Sequence, residues 1–232
     1  MPKIAIVAAI QREVTGLLKN SQRINREHDG RKFMFFEQEE MVILCGGIGV
    51  EAARRAAEAV IALYHPVLVQ SVGFAGALQS NMRVGDILVP GVVVDASAGS
   101  RTEIPGGSGT LLTFMSVADA KQKSRLAQAY SAQAVDMEAA AVAAAARAHG
   151  IAFRAVKVIS DEMNFDMPDM TRFVDPQGRF RTMNFAGYAA LRPWFWAGIA
   201  TSARNSKKAA AALERYLSDH RTRNDGAEAK TV

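Results

Sequence analysis

The sequence predicts a single α/β domain in which a mostly parallel or mixed central sheet is flanked by helices, giving three layers. Apolar runs of strand length alternate along the chain with segments of helical period, and this alternation is typical of strands joined by helical crossovers. The chain has 232 residues, of which 49% are hydrophobic, and this is enough to bury one sizeable core. We expect the domain to span residues 1–218 and residues 219–232 to form a disordered tail.

The first half of the chain predicts a strand, a helix, a hairpin, a second helix and two more strands. In chain order these elements are Ile4–Ala9, Gln11–Lys19, Lys32–Gln38 with Met41–Cys45, Glu51–Tyr64, Val67–Val72 and Asp86–Val94. Pro66 ends the second helix, because proline lacks the backbone N–H that a helix needs. Pro90 indicates a bulge or an edge position in the last of these strands.

The second half of the chain begins with a loop and ends in helices. In chain order the predicted elements are a Gly-, Ser- and Thr-rich loop at residues 95–109, a strand at Thr110–Met115, a helix at Glu138–His149, a strand at Phe153–Ile159 and helical structure over residues 180–217. Gly150 follows the alanine-rich helix in the position where glycine commonly ends one. Pro193 predicts a break in the C-terminal helical region.

Composition and charge exclude several classes of protein. The formal net charge is +5, but no nucleic-acid recognition motif accompanies it, so we predict no nucleic-acid partner. The one cysteine, Cys45, cannot form an internal disulfide, which fits a reducing compartment. We find neither a signal peptide nor an apolar run of the ~20 residues that a membrane-spanning helix needs, and we predict a cytoplasmic protein. The four histidines are scattered without ligand spacing, so we predict no metal site.

Unusual residues follow four of the predicted strands, and ligands of open α/β folds bind at the carboxyl ends of strands. Two of these segments are glycine-rich, Gly46–Gly49 and Gly73–Gly76, and form either tight turns or places where a ligand approaches the backbone. The other two are Asp136-Met137-Glu138 and Ser160-Asp161, and Glu13 lies shortly after the first strand. Each carboxylate is also a plausible helix cap or surface group. Three of them converging on one sheet edge would suit acid–base catalysis.

Five segments together resemble 5′-methylthioadenosine/S-adenosylhomocysteine nucleosidases and their relatives in the purine nucleoside phosphorylase and nucleosidase superfamily. These are KIAIVAAIQREVTGLL (3–18), GGIGVEAA (46–53), GFAGALQSNMRVGD (73–86), VDMEAAA (135–141) and VISD (158–161). The later part of the chain, with SDEMNFDMPDMTRFVD (160–175) and LRPWFW (191–196), is similar to a branch of hopanoid-associated phosphorylases. The resemblance implies a homodimeric enzyme that needs no cofactor and breaks the N-glycosidic bond of a purine nucleoside, with an adenosyl compound as the expected substrate.

The resemblance also implies roles for individual residues. Glu13 matches the carboxylate that activates water, and Asp161 matches the acid that protonates purine N7. Glu138 and Met137 match the ribose contacts, and Gly76 matches a backbone contact beside the nucleophile. The remaining expected pocket residues are Asp136, Phe74, Ala75, Ile48, Ser116, Val117, Lys157 and Ser160. Asp136 is equally consistent with lining the pocket and with supporting it.

The sequence departs from the nucleosidase pattern in three places. Phe74 replaces a small hydroxyl-bearing residue, and Lys157 stands where the family has an arginine, which removes a bidentate donor. The interval between Asp86 and Thr110 is short, whereas in nucleosidases it holds additional structure that reaches the neighbouring subunit's pocket. We therefore hypothesise a more open pocket that admits a bulky 5′ substituent.

Two further functions remain open. A phosphate-dependent nucleoside phosphorylase, with inorganic phosphate as co-substrate and a lipid-like 5′ group on its substrate, would need a cationic phosphate cradle, for which Arg12, Arg54, Lys157 and the N–H groups of Gly46–Gly49 are candidates. Glu13 favours hydrolysis instead. A non-catalytic nucleoside-binding protein is the other alternative, although binding alone would not require an acid beside the base. The aromatic segment that includes Trp194 and Trp196 either packs within the protein or a dimer, or contacts a lipid-like substrate or a membrane surface.

Overall fold

The sheet of this protein is mixed, and among the described residues five strand pairs are parallel and five are antiparallel. The structure is a computed structural model, and it describes residues 3–19, 21–166, 173–175, 177–190 and 196–228. Its strands are β1 (Ile4–Ala8), β2 (Gln22–His28), β3 (Arg31–Glu37), β4 (Met41–Cys45), β5 (Leu68–Ala77), β6 (Ile87–Leu88), β7 (Val92–Asp95), β8 (Arg101–Glu103), β9 (Thr110–Thr113), β10 (Ala134–Asp136) and β11 (Ala152–Asp161). Its helices are α1 (Val50–Tyr64), α2 (Ala120–Tyr130), α3 (Ala139–Ala148), α4 (Thr182–Ala190) and α5 (Trp196–Glu228), with a short 3₁₀ helix at Gln11–Glu13.

Strand β5 is the centre of the sheet. Along the main path the order is β2-β3-β4-β1-β5-β10-β9-β7-β8, and β11 pairs with both β5 and β6. The first half of β5 lies parallel to β1, and β11 runs parallel to β5 along most of its length. The last residues of β5 pair with β10, which is antiparallel. The ends of β1, β5, β10 and β11 consequently meet at one edge, where a ligand site is expected.

Helices cover both faces of the sheet, as the sequence predicts for a three-layer fold. On one face the small residues of α1 and α3 pack against β1, β4 and β5, with Ala56, Ala57 and Val142 fully buried. On the other face Ala209 and Leu213 of α5 are fully buried against β1, β4 and β11. The alanine content of α1 and α3 allows the helices to approach the sheet closely, and the branched strand residues fill the space between.

The structure confirms the predicted hairpin but adds a strand before it. Strands β3 and β4 pair antiparallel, as expected, and β2 pairs with the outer edge of β3. The turn between β2 and β3 contains Asp29 and Gly30, both with positive φ, and Asp-Gly is a strong signal for a two-residue hairpin turn. Strand β2 was missed because it is mostly polar and exposed, with Ile24 as its one aliphatic residue.

Several predicted elements were wrong in extent. The helix predicted at Gln11–Lys19 is a single 3₁₀ turn followed by hydrogen-bonded turns, because the side chain of Glu13 turns back to the preceding backbone and Gly16 follows it. The single strand predicted at Asp86–Val94 is divided at Pro90 into β6 and β7, which pair with different strands. The predicted loop at residues 95–109 contains β8.

The region between β9 and β10 contains a helix that the sequence analysis did not predict. Helix α2 begins after Asp119, whose side chain accepts a hydrogen bond from the N–H of Gln122 at 2.7 Å, the ordinary capping interaction. The helix buries only Lys123 and Leu126. With so narrow an apolar stripe, its helical period is weak in the sequence.

The C-terminal region is helical, as predicted. Helices α4 and α5 lie on either side of residues 191–195, and the predicted break at Pro193 and the side chain of Trp194 lie outside the described residues. Trp196 begins α5 and is 56% exposed. Helix α5 is assigned as far as Glu228, and the domain boundary at 218 with a disordered tail stays a prediction. Within the described chain, each helix is too short or too polar to cross a bilayer.

Candidate active site

A cavity of about 200 Å³ lies where the ends of β1, β5, β10 and β11 meet. It gathers residues from distant parts of the chain, including all the predicted site residues except Gly76 and Lys157. Its predicted members are Glu13, Ile48, Phe74, Ala75, Ser116, Val117, Asp136, Met137, Glu138, Ser160 and Asp161. Gly76 and Lys157 lie directly behind this lining, as described below.

Glu13 is buried at one end of this cavity and is held by three backbone donors. Its Oε2 accepts hydrogen bonds from the N–H groups of Ala9 at 2.9 Å and Ile10 at 3.0 Å. Its Oε1 accepts one from the N–H of Phe74 at 2.9 Å. Burial raises the pKa of Glu13, while these N–H groups and the charge of Lys157 oppose the rise. The carboxylate is therefore fixed in orientation and more basic than an exposed glutamate.

The glycine-rich segment Gly73–Gly76 belongs to β5 and is not a turn. A Cβ atom on Gly73 would lie 2.7 Å from Oε1 of Glu13, and one on Gly76 would lie 2.9 Å from Oδ2 of Asp161. Both distances are shorter than ordinary carbon–oxygen contacts. Glycine therefore allows two carboxylates from other parts of the chain to approach the strand closely.

Asp136 supports the cavity wall through three contacts of its side chain. Its Oδ1 accepts a hydrogen bond from the hydroxyl of Thr113 at 2.7 Å, and its Oδ2 accepts one from the N–H of Ala139 at 2.9 Å. Oδ2 also pairs with Nζ of Lys157 at 2.8 Å. Burial alone would lower the pKa of Lys157, but the charges of Asp136 and Glu138 outweigh it and raise that pKa. With these partners, Asp136 both lines the cavity and anchors the start of α3.

Glu138 is half-buried beside the glycine-rich segment Gly46–Gly49. Its Oε1 accepts a hydrogen bond from the N–H of Gly49 at 2.9 Å, and its Oε2 accepts one from the N–H of Met137 at 3.2 Å. Desolvation, together with repulsion from Asp136, raises the pKa of Glu138 to about 7, although Lys157 opposes this rise. The carboxyl group consequently changes charge close to neutral pH.

Asp161 occupies the other end of the cavity. Its Oδ1 accepts a hydrogen bond from the hydroxyl of Ser160 at 2.7 Å, and its Oδ2 forms a buried ion pair with Nζ of Lys123 from α2. Lys123 also donates to the backbone carbonyl oxygens of Glu162 at 2.8 Å and Phe165 at 3.4 Å. The sequence analysis missed Lys123, because a lysine in a polar helix carries no local signal that it is buried.

The N–H groups of the segment Gly46–Gly49 are all engaged within the protein. Those of Gly46 and Gly47 donate to the carbonyl oxygens of Ala8 and Ala9. The N–H of Ile48 donates to the carbonyl oxygen of Gly178, and that of Gly49 donates to Glu138. These N–H groups were candidates for a phosphate cradle under the phosphorylase alternative, and in this structure each of them donates to an acceptor within the protein.

A second, apolar cavity of about 390 Å³ opens beside the first. The two share part of their lining, namely Ile10, Arg12, Ile48, Val117, Met137 and Ser206. The rest of the second cavity is formed by α4, α5 and the segment before them, through Val174, Phe180, Thr182, Phe185, Ile199, Ser202 and Ala203. We call this second space the apolar annex. It extends the site away from the carboxylates.

Two other features that could carry chemistry, the thiol of Cys45 and a group of metal ligands, do not add to the site within the described residues. Burial, with repulsion from Glu13, raises the pKa of Cys45 to about 12, so its thiol is not a reactive nucleophile. Within the described ranges, no three His, Cys, Asp or Glu side chains are grouped so as to hold a metal ion.

The family model of the phosphorylase superfamily matches residues 3–110 and 106–184. The chain belongs to the phosphorylase superfamily. The match includes every carboxylate of the cavity and most of the sheet. It confirms the resemblance to the purine nucleoside phosphorylase and nucleosidase superfamily that the sequence motifs indicate. It also confirms, at the level of the superfamily, that the protein is an enzyme of the nucleoside phosphorylase and nucleosidase type.

Individual members of the superfamily are similar to this chain over different lengths. The 5′-methylthioadenosine/S-adenosylhomocysteine nucleosidase of Bacillus licheniformis is 33% identical over 90 residues, which are 38% of this chain and 39% of that protein. The enzyme of the same name from Haemophilus influenzae is 27% identical over 197 residues, 68% of this chain and 86% of that protein. The structure of Arabidopsis thaliana 5′-methylthioadenosine nucleosidase has a TM-score of 0.71 at 18% identity and covers 94% of this chain and 95% of the other. This last likeness confirms the predicted fold.

Substituting Gly73 with alanine should displace Glu13 and impair catalysis. The added Cβ would crowd both Oε1 and Cδ of Glu13, so the carboxylate must leave its backbone donors. With Glu13 in the acid–base role that the family resemblance implies, we expect kcat/KM for nucleoside cleavage to fall about 10²-fold, the loss typical of a misplaced acid–base group. The matched control is Ser71→Ala on the same strand, which removes a buried hydroxyl that has no hydrogen-bond partner among the described residues. Equal activity of both variants would contradict the proposed importance of the close approach at Gly73.

Proposed function

We propose that this protein hydrolyses the N-glycosidic bond of a purine nucleoside of the adenosyl type and releases the base. The observation that carries the proposal is the convergence of Glu13, Glu138 and Asp161 on one cavity. Cleavage of this bond passes through a state in which the sugar is cationic and the leaving base is anionic. Carboxylates stabilise such a cation when they are held in place before the reaction, and an acid is needed at the base.

Asp161 is the proposed acid. As the bond between C1′ and N9 breaks, its electron pair moves into the purine, and N7 takes a proton that Asp161 delivers. Ser160 fixes the orientation of that group through its hydroxyl. The base then leaves as a neutral molecule, which lowers the barrier to departure.

Glu13 is the proposed base that activates water. Its three backbone donors leave the carboxylate little freedom to rotate, and burial makes it a better proton acceptor. As the water oxygen bonds to C1′, its proton passes to Glu13. Products are the free base and ribose or a 5′-substituted ribose.

Glu138 is the proposed ribose ligand, with Met137 beside it. A carboxylate can accept hydrogen bonds from both the 2′- and the 3′-hydroxyl. The N–H groups of Gly49 and Met137 hold Glu138 in place for this. Its negative charge also stabilises the cationic sugar of the transition state.

Water is the proposed nucleophile because most candidate phosphate ligands are already engaged. Lys157 is buried in its pair with Asp136, and Arg54 pairs with Glu51 on the exposed surface of α1. The N–H groups of Gly46–Gly49 have internal acceptors. Arg12 lines the cavity and is the cation that remains among the four candidates, whereas a phosphate dianion ordinarily takes several donors.

Base release should be equally fast with and without inorganic phosphate, and the sugar product should be free ribose or its 5′-substituted form. Adenosine and methylthioadenosine are suitable substrates, with the sugar product identified by mass spectrometry. Formation of ribose 1-phosphate, or a rate that requires phosphate, would contradict hydrolysis.

In the same assay Asp161→Asn should lower kcat about 10²–10⁴-fold and leave nucleoside binding nearly unchanged. Asp29→Asn, in the exposed hairpin turn, is the matched control.

Nucleoside affinity should rise with pH through about 7, where Glu138 loses its proton. Its pKa is raised, so the carboxyl group is neutral below that pH and offers the hydroxyls of ribose a weaker acceptor. The suitable probe is a purine C-nucleoside, whose C–C linkage the enzyme cannot hydrolyse, with Kd measured by calorimetry from pH 5 to 9. Glu138→Gln should bind weakly at every pH and show no inflection near 7, while Glu27→Gln on exposed β2 should behave as wild type. An inflection that persists in Glu138→Gln would assign the titration to another group.

The apolar annex favours a substrate with a large apolar 5′ substituent, as in the alternative of a lipid-like adenosyl compound. The annex joins the reaction cavity at Ile48 and Met137 and leads away from the carboxylates. A 5′ group that entered it would be removed from water, and burial of each CH₂ group contributes at most about 0.8 kcal/mol. The same property would serve a hydrolase or a phosphorylase.

For 5′-alkylthioadenosines of increasing chain length, KM should fall by up to about fourfold for each added CH₂ until the annex is full. Ile199→Gln places an amide in the annex and should flatten this dependence. The control is Val67→Gln, at a position that is 66% exposed and remote from both cavities. A KM that is independent of chain length in the wild-type protein would show that the annex does not receive the 5′ group.

The homodimer, the cytoplasmic location and the absence of a cofactor stay predictions.

A further inference from the structure

Lys123 is a buried cation in the candidate active site for which neither the sequence nor the proposed mechanism accounts. Its side chain is 1% exposed, lines the reaction cavity and forms an ion pair with Asp161. Gly76 makes room for both partners, because a Cβ there would lie 2.9 Å from Oδ2 of Asp161 and 3.2 Å from Cε of Lys123. Burying an ion pair is costly, and an apolar pair of similar volume is often at least as stable. Stability alone is therefore a poor explanation for this lysine.

The charges around the cavity divide into two groups. At the base end, Lys123 balances Asp161. At the sugar end, Lys157 balances Asp136, while Glu13 and Glu138 add two carboxyl groups. Further titratable groups in these surroundings are Arg12 on the cavity wall, the α2 cap residues Asp119 and Asp166, and the Arg83–Glu162 pair beyond Asp161. The Lys123–Asp161 ion pair holds one transferable proton and lies at the end of the cavity where the proposed reaction releases the base.

We propose that Lys123 is a positioning residue that keeps a proton available to Asp161, so that the two side chains act together as the acid of the reaction. The inference rests on the proposed function, in which Asp161 protonates the base. Before cleavage, Lys123 is an ammonium group and Asp161 a carboxylate. As the C1′–N9 bond breaks, N7 takes a proton through Asp161, and Asp161 takes one from Lys123. The pair is left as a neutral amine and a carboxylate.

The proton balance closes over one turnover. Water supplies hydroxide to C1′ and a proton to Glu13, and the pair supplies a proton to the purine. Glu13 then releases its proton to solvent, and the Lys123 amine takes one from solvent. The net reaction consumes one nucleoside and one water and requires no other reactant.

The pair should be able to donate a proton at pH values at which a lone carboxyl group no longer can. In the wild-type protein, kcat/KM should therefore remain high to at least about pH 8 before it declines. An alkaline decline that begins below pH 7 in the wild-type protein would overturn the proposal without any variant.

The decisive variant is Lys123→Met, which keeps the length of the side chain and removes its proton. Asp161 must then hold the transferred proton alone, so the alkaline decline of kcat/KM should move to lower pH. We expect the ratio of wild-type to variant kcat/KM to be about tenfold or more larger at pH 8.5 than at pH 6. Glu138 is present in both proteins, so its effect on kcat/KM cancels when the wild-type value is divided by the variant value at each pH. Lys123→Gln, which keeps donors for the carbonyl oxygens of Glu162 and Phe165, should show the same shift.

The control variant is Lys121→Met, the same change on the exposed side of α2, and its pH profile should match wild type. Thermal unfolding and binding of a purine C-nucleoside establish that the variants are folded. A loss of activity in Lys123→Met that is equal at all pH values would show a merely structural lysine and overturn the proposal. Full turnover by Asp161→Asn would instead contradict the proposed function itself. An inactive Asp161→Asn with an unshifted Lys123→Met profile would leave that function standing and reject only the role of Lys123.

Discussion

The site depends on one physical constraint, which is that several charged side chains are buried together at the edge of the sheet. Glu13, Asp136, Asp161, Lys123 and Lys157 are each less than 9% exposed, and an unpaired charge at such a position would be strongly destabilising. Each is therefore held by backbone N–H groups, a hydroxyl or an opposite charge. The same contacts that offset desolvation also fix the orientation of the carboxylates, which is the preorganisation that bond cleavage needs.

The distribution of these charges matches the charge separation of the proposed reaction. Glu13 and Glu138 give the sugar end of the cavity an excess of carboxyl groups, where positive charge develops. The Lys123–Asp161 pair is neutral overall and presents the base end with a donor, where negative charge develops. Asp136 is paired with Lys157 and also bound by Thr113 and the N–H of Ala139, although its charge still helps to raise the pKa of Glu138. Its place in the structure is to hold α3 and Glu138 in position.

The local pattern could place Glu13, Glu138 and Asp161 beside strand ends, where each was equally consistent with a helix cap or a surface group. Only the family resemblance singled them out as site residues, and the structure places all three on one cavity. The sequence could not predict that β5 continues through Gly73–Ala77, since glycine is usually a signal for a turn. Here Gly73 and Gly76 lack side chains because Glu13 and Asp161, from other parts of the chain, lie against the strand at these positions. Such a contact exists only in the folded protein and leaves no local signal in the sequence. Lys123 was missed for the same reason, because its burial is decided by β11 rather than by α2.

The reaction and the range of substrates are determined by different layers of the structure. The carboxylates lie on or beside strands that are paired on both sides, and such positions tolerate little displacement. The apolar annex is formed mostly by α4, α5 and the segment before them, and α5 packs on the sheet through Ala209, Leu213 and Leu217. A helix can shift or change its side chains without breaking a strand ladder, so the volume of the annex can vary while the carboxylates stay fixed. In the proposed function, the 5′ side of the substrate is consequently the part that this chain is freest to define for itself.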